Sequence, residues 1–578
     1  EVLTEGKADA ALAAAKAASE AEVAPASPGR APEDVPDPDA EPEPSALASL
    51  DKTPPLTGID LVSRMWKALV PNLVMSSVAS LTLRSTTPPK ALQHIRTAAL
   101  AFVLESTALV EQQSALDARL YALVQHAALG VPDRAAYIDS ATKVCGELAR
   151  AASPDGLGRT FGFVTTLMRN SKVALRFFAA SLAAELLTHR LPAAKSVADA
   201  AHELTAALYA RVGDKSARVR GRALAGLAAI LKAHNDGTEA TGAAHALFGL
   251  TRGDANARVL AGALGKLERR QRDTGAGVRK AALVVLCELA RAVGNAGVPA
   301  TAMASVYEAV SRGTLDPSPM VRKQAMNSLT EALTSAHAPA ALRKVWATAV
   351  LPGVLDPEAA VSSKALALFD TLVIQPLLAY EGGDGANEAQ LSDVWMLLAA
   401  VPASYTKYIE AGFRVMAASG GGSLDPAIGL GLQRFIRAHA SAKVPAGQLA
   451  CAEAWMLLAE YAQHAQAAGF DASLLSGAWL SAFGPGGEAA HQMLLLRVLV
   501  GYAGALTDEA ELRSLANSLL AVVGTLDAAP EVASLALSAL YALEANPAQT
   551  SLRGSGWADS LMSQVDAAVA SSVQSGDG

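Results

Sequence analysis

The groups in this 578-residue chain that come nearest to doing chemistry are few, and each fails on its spacing. A phosphate loop that hydrolyses nucleotides needs Gly-x-x-x-x-Gly-Lys followed by Ser or Thr, because the hydroxyl holds magnesium. Gly262-Ala263-Leu264-Gly265-Lys266-Leu267 has the wrong glycine spacing, ends in leucine and follows no strand, so it reads as helix. Gly554-Ser555-Gly556 lacks the first-glycine spacing and the strand-turn-helix setting of a nucleophile elbow. The ten histidines make no HExxH and no paired ligand spacing. Cys145, Cys287 and Cys451 stand far apart, with no CxxC pair, and read as buried thiols of a reducing compartment. The expectation is a protein that is not an enzyme, with no cofactor, no metal and no small-molecule substrate.

One charge feature stands out: Arg269-Arg270-Gln271-Arg272, leading to Arg279-Lys280. Its plain reading is a solvated helix end and loop; its functional reading is contact with nucleic-acid phosphates. The net charge of −7 conceals a polarity that bears on the choice. Residues 1–60 hold 4 basic and 13 acidic side chains, residues 61–350 hold 35 and 20, and residues 351–578 hold 9 and 22. A basic middle between acidic ends favours a polyanionic partner for the middle.

These groups are positioned by helices. Just over half of the residues are hydrophobic and only 5% aromatic, with Ala and Leu supplying much of the apolar surface; such small side chains have high helix propensity and let helices approach closely. Residues 1–58, with the run Pro36-Asp37-Pro38-Asp39-Ala40-Glu41-Pro42-Glu43-Pro44, are acidic and poor in large apolar groups, and are predicted to be disordered. Helical spacing begins near Ile59, and breaks such as Asn235-Asp236-Gly237, Asp316-Pro317 and Asp356-Pro357 separate one helix from the next. Residues 59–380 are assigned to a repeat array, and residues 381–578 to further helical repeats with expanded Gly-rich loops. No window reaches about 18 apolar residues free of charges and helix breakers, so no membrane-spanning helix and no membrane partner is expected.

The decisive feature is an internal repeat. DKSARVRGRALAGL (214–227), DTGAGVRKAALVVL (273–286), DPSPMVRKQAMNSL (316–329) and DPEAAVSSKALALF (356–369) share Asp at position 0, Val at +5, Ala at +9, Leu or Met at +10, and Leu or Phe at +13. DANARVLAGALGKL (254–267) is a weaker copy. The last three strong copies are 43 and 40 residues apart, and the 59 before them suggests an inserted helix. Such periods match the two-helix HEAT unit of about 40–47 residues, so the fold class is an all-α HEAT-repeat α-solenoid. The aspartate is expected to cap the second helix, with Pro317 and Pro357 at the first helical position.

Offsets +5, +9, +10 and +13 form one buried stripe around the second helix, and offset +6 lies inside it. Arg220, Arg279 and Arg322 at +6 are therefore expected to pair with Asp214, Asp273, Asp316 and Asp356 of neighbouring repeats as an internal ladder. Offsets +4, +7 and +8 face away from the stripe. They carry Arg218, Arg222, Lys280 and Lys323, which with Arg269, Arg270 and Arg272 make a candidate surface for weak, sequence-independent contact with duplex DNA. Ser27-Pro28-Gly29-Arg30 and Thr87-Pro88-Pro89-Lys90 fit a proline-directed kinase pattern, which makes Ser27 and Thr87 candidate phosphorylation sites.

Several stretches resemble the D-type HEAT-repeat subunits of condensin II beyond generic repeat consensus. They are Met65-Trp66-Lys67-Ala68-Leu69-Val70-Pro71 with LVQHAALGVPDRAAY (123–137), NSKVALRFF (170–178), and VRKQAMNSLTEAL (321–333) followed by Lys344-Val345-Trp346 and VLPGVLDPEAAVSSKALALFDTL (350–372). The resemblance covers roughly residues 60–380 and fades beyond, apart from Cys451-Ala452-Glu453-Ala454-Trp455-Met456-Leu457-Leu458. Members of that family are far longer than this chain. The resemblance implies a scaffold on chromosomes in the nucleus, assembled with SMC ATPase and kleisin subunits and a second HEAT subunit, that acts in mitotic chromosome condensation. The alternative is an adaptor for nuclear transport or a phosphatase scaffold.

Overall fold

Alanine- and leucine-rich segments bounded by turn residues fold, in the computed structural model, into one helix after another. The structure describes residues 90–575 apart from 110–111, 132, 238–246, 252–253, 256, 296–300, 336–337, 381–384, 420–423, 440–444, 465–469, 485–486, 525–527, 549–551 and 554. The acidic segment 1–58, Ser27 and Thr87 thus lie outside the described residues.

The helices fall into two units, which meet in sequence between Pro299 and Ala300. The first unit holds α1 (Lys90–Ser106), α2 (Gln113–Gly130), α3 (Ala135–Arg150), α4 (Pro154–Met168), α5 (Val173–Leu187), α6 (Lys195–Ala210), α7 (Ala217–Asn235), α8 (Ala257–Arg270) and α9 (Ala276–Asn295). The second holds α10 (Thr301–Ser311), α11 (Pro319–Leu333), α12 (Ala341–Val350), α13 (Ala359–Phe369), α14 (Gln375–Leu378), α15 (Gly385–Ala399) and α16 (Thr406–Ser419). It continues with α17 (Pro426–His439), α18 (Pro445–Ala462), α19 (Ala472–Ala482), α20 (Ala489–Tyr502), α21 (Glu509–Gly524), α22 (Pro530–Ala545) and α23 (Trp557–Ser575).

Each unit is a stack of antiparallel helix pairs in two layers. In the first unit the second helices of successive pairs, α3, α5, α7 and α9, pack side by side, while α2, α4 and α6 form the other layer. In the second unit α11 packs on α13, and α16, α18, α20 and α22 follow one another in the same way. The repeat stripe is the seam between layers: Val219, Ala223, Leu224 and Leu227, with their counterparts in the other three copies, are buried in every case but Leu366. Trp346 of α12 fastens its layer to α11 by donating from its indole nitrogen to the Thr330 hydroxyl at 2.8 Å, in a fully buried contact. This is the HEAT-type architecture that the period implied.

Two local expectations are corrected, and one apolar stretch is accounted for by packing. The weaker copy at Asp254 does not open a second helix: Asp254 lies in a two-residue antiparallel ribbon, Leu250–Thr251 with Asp254–Ala255, and α8, the first helix of its pair, buries Leu260, Ala263 and Leu267 against α9. That ribbon lies in the insertion before α8. The aspartates are not helix caps, as set out below. Finally, Ala359–Leu378, where α13 runs through a π-turn into α14, is long and apolar enough to cross a membrane by length and hydropathy alone. Val361, Ala365, Phe369, Val373, Ile374 and Leu377 are buried within the second unit, so packing accounts for its apolarity.

Candidate interaction surface on the repeat turns

The turn that enters each second helix is built by the aspartate at position 0. Its backbone N–H closes a short 3-10 turn onto the residue three back, with Asp214 to the Arg211 carbonyl at 3.0 Å and Asp356 to Gly353 at 3.0 Å. Its carboxylate accepts the N–H two residues on: Ser216 at 2.9 Å, Gly275 at 3.0 Å, Ser318 at 2.8 Å and Glu358 at 2.9 Å. The helices then begin at Ala217, Ala276, Pro319 and Ala359. The aspartate therefore precedes the capping residue by two positions and makes an Asx turn. Pro319, not Pro317, occupies the first helical position of α11, and Pro357 stands just outside α13.

The arginine at +6 reaches back to this turn and forward to the next. Arg220 donates to the carbonyls of Asp214 and Lys215 at 2.9 and 3.0 Å, and its other two nitrogens grip the Asp273 carboxylate at 2.8 and 2.7 Å. Arg322 donates to the carbonyls of Asp316 and Pro317 and pairs with both Asp356 oxygens at 2.8 Å. Arg279 makes the same backward contacts to the Asp273 and Thr274 carbonyls. The Arg220 and Arg322 forks each stitch their own turn and fix the register of the repeat that follows, which a point charge such as lysine would not do. The series stops after Asp356, where Ser362 replaces arginine and donates to the Val354 carbonyl at 2.7 Å.

A rung that the sequence reading missed lies one repeat earlier. Asn170 takes the place of the aspartate and accepts the Lys172 N–H at 2.9 Å, and Arg176 at +6 bonds the Asn170 and Ser171 carbonyls and both oxygens of Asp214. The signal was present, since Asn makes the same turn as Asp. A further arginine at −3 is equally structural: Arg211 reaches Asp214, and Arg270 reaches Asp273, each at 3.1 Å. Asp214 and Asp273 are thus each held by two arginines. Burial pushes their carboxyls up, but the bonds from Arg176 and the Ser216 amide, or from Arg220, the Gly275 amide and Arg270, outweigh it. The result lies below the usual carboxylate pKa.

The sign of the pH dependence follows. A carboxylate with a folded pKa below its unfolded value of about 3.9 contributes stability that is fully present above that value and is lost as pH falls through the folded pKa. Thermal melts followed by circular dichroism are expected to hold steady from neutrality to about pH 5 for these groups and to drop below about pH 4. An Asp214→Asn/Asp273→Asn variant should start lower and show a shallower acid limb. An acid limb identical to the parent's would exclude these two carboxylates as its source.

The seven basic residues of the candidate surface do not behave alike. Arg270 is committed to the buried Asp273 and leaves the set. Arg269 and Arg272 are exposed at the end of α8 and in the turn after it. Lys266, which the sequence reading passed over as helix, joins them: its ammonium stands 4.0 Å from the Tyr209 ring centroid. Burial first, then the charges of Arg270 and Arg269, holds its pKa below the usual lysine value. Lys280 is half-buried on α9. Arg218 and Arg222 on α7 are engaged with Asp133 at 2.7 Å and Asp139 at 2.8 Å. Lys323 belongs to the second unit, while the other six belong to the first. Among the described residues no group of three or more His, Cys, Asp or Glu is placed to hold a metal ion. Cys145 and Cys287 are buried and Cys451 is half-buried, all as free thiols, and burial pushes the Cys145 thiol up to about 12.

Paired helices repeating about every forty residues, stitched turn to turn by arginine–aspartate rungs, define a HEAT-type repeat protein. A family model for the sister chromatid cohesion protein PDS5 matches residues 123–340, less than half of the chain. A relative from Xenopus laevis, the condensin-2 complex subunit D3-L, is 25% identical over 51% of this chain, and the match spans only 23% of that relative's length. Among solved structures, Kap95p in a complex concerned with RanGDP is 12% identical over 87% of this chain and 57% of that one, with a TM-score of 0.37. A designed armadillo repeat protein is 17% identical over 46% and 95%, with a TM-score of 0.27. At these scores the likeness adds nothing to the fold already read from the helices.

Proposed function

We propose that this chain is a non-catalytic HEAT-repeat scaffold of the condensin II D-type kind. In this reading it holds kleisin and SMC subunits and a second HEAT subunit on chromosomes in the nucleus, contributes to mitotic condensation, and touches duplex DNA weakly through its first unit. The observation that carries the reading is the division of labour among its basic groups. Buried arginines are spent on the rungs, while Lys266, Arg269 and Arg272 gather at one repeat turn where a polyanion can reach them. Similarity to a condensin-2 subunit supports the same class of partner. Phosphorylation at Ser27 and Thr87 belongs to this proposal as its regulatory part.

Affinity purification of the chain from mitotic cells, followed by mass spectrometry, is expected to return SMC and kleisin subunits together. Recovery of transport cargo or a phosphatase catalytic subunit in their place would overturn the assignment in favour of an adaptor.

A further inference from the structure

Phe177 on α5 carries two cations at once. The guanidinium carbon of Arg218 stands 4.2 Å from its ring centroid and that of Arg222 stands 4.7 Å away, so the two forks lie within 9 Å of each other. Each is held at its far end by an acid from α3 or the turn before it: Arg218 by Asp133 at 2.7 Å, and Arg222 by Asp139 at 2.8 Å. Three neighbouring second helices therefore contribute one piece each, with the arginines on α7, the ring on α5 and the acids at α3. The acids are about half exposed, at 47% and 55%, whereas Phe177 is buried.

We propose that Arg218 and Arg222 form a two-phosphate site for a nucleic-acid backbone, masked by Asp133 and Asp139. The inference rests on the reading of the first unit as a DNA-contacting surface and adds how that contact is restrained. The ring face attracts both cations and holds their planar forks in place without consuming their hydrogen-bond donors. The acids satisfy those donors through exposed ion pairs, which water and salt screen and which a denser polyanion can displace. Phosphates on one duplex strand follow each other every ~3.4 Å along the axis, so two of them fall within the span of the forks. A further exposed arginine stands at the next repeat turn: Arg218 is two residues before Arg220, whose rung ends on Asp273, and Arg272 immediately precedes Asp273. Cations spaced from repeat to repeat suit a regularly charged backbone better than a single phosphate group.

The test is binding of a fluorescent duplex of random sequence to the full chain, with a phosphoserine peptide as a parallel probe. Asp133→Asn/Asp139→Asn is expected to tighten duplex binding about tenfold at low salt, as two weak masking pairs are removed. The salt dependence should steepen as two more phosphates are engaged. Adding Arg218→Ala/Arg222→Ala to that variant should cancel the gain. A control, Asp199→Asn/Glu203→Gln on α6, removes the same charge elsewhere in the unit. If it tightens binding equally, or if the masking variant binds no better than the parent, the mask does not exist. DNA contact through Arg269 and Arg272 is untouched by that outcome. If the masking variant gains only the phosphopeptide, the ligand class is wrong. If neither parent nor any variant binds duplex DNA, the underlying reading fails as well.

Discussion

Asp273→Ala is expected to destabilise the first unit by about 3–5 kcal/mol, the range for breaking a buried ion pair by removing one partner. The carboxylate is buried and does three jobs. It accepts from both forks of Arg220, from Arg270, and from the Gly275 N–H that opens the turn into α9. Its loss leaves the Arg220 guanidinium, only 12% exposed, without its counter-charge, and the desolvation of that charge is no longer offset. The neighbouring Arg272→Glu serves as the contrast, since an exposed substitution usually stays within about 0.5 kcal/mol. Repeat arrays unfold as coupled local units rather than as one block, so the informative measurement is hydrogen exchange read by mass spectrometry. Protection should collapse across α7, α9 and the turn between α8 and α9, and hold in α2 to α4. Parent-like protection throughout would mean that the rung is decorative. Arg322→Glu should act similarly in the second unit. There the new carboxylate would face Asp356, the partner that the structure gives Arg322.

The repeat was legible because burial and chirality constrain the second helix at a few fixed offsets. Val at +5 and Ala at +9 recur where the layers touch, and small side chains there let the helices close up. Arginine inside an apolar stripe was informative for the same reason, since a buried charge requires a partner and the only regularly placed anion was the aspartate of a neighbouring copy. The local turn was less legible. Asp before a helix suggests a cap, but in the folded chain the carboxylate spends itself two residues early, on the Ser216, Gly275, Ser318 and Glu358 amides. The Asn170 copy is hidden by its residue type, since the turn needs only a side-chain oxygen and asparagine supplies it as well as aspartate does.

The surface was harder to read than the rungs, and the reason is physical. Whether a basic residue is free depends on what lies across the layer, and contacts spanning 85 and 83 residues, Arg218 to Asp133 and Arg222 to Asp139, leave no trace in local spacing. Arg270 looked like the middle of an exposed basic run, yet position −3 points it back at Asp273, as Arg211 points at Asp214. Lys266 was hidden by the opposite error. Its place in a glycine-containing helical stretch gives no local sign that it stands over Tyr209 beside Arg269 and Arg270.

Arg269 and Arg272, free of the rungs, are the residues whose reversal tests contact with DNA. Arg269→Glu/Arg272→Glu is expected to weaken binding of the full chain to duplex DNA by about a hundredfold at low salt, because two phosphate contacts are lost and two repulsive charges replace them. The log–log salt slope should fall by nearly two units, at about 0.9 for each phosphate released. No dependence on base sequence is expected, since contacts to phosphates alone position a duplex without reading it. Both side chains are exposed, so helicity and melting temperature should match the parent. A triple reversal that included Arg270 would confound the result: a new glutamate against the buried Asp273 disturbs the rung, and lost binding could then be lost folding. With Arg270 left in place, undiminished binding by a folded double reversal would make Arg269 and Arg272 a solvated face, and the first unit's role would lie with protein partners.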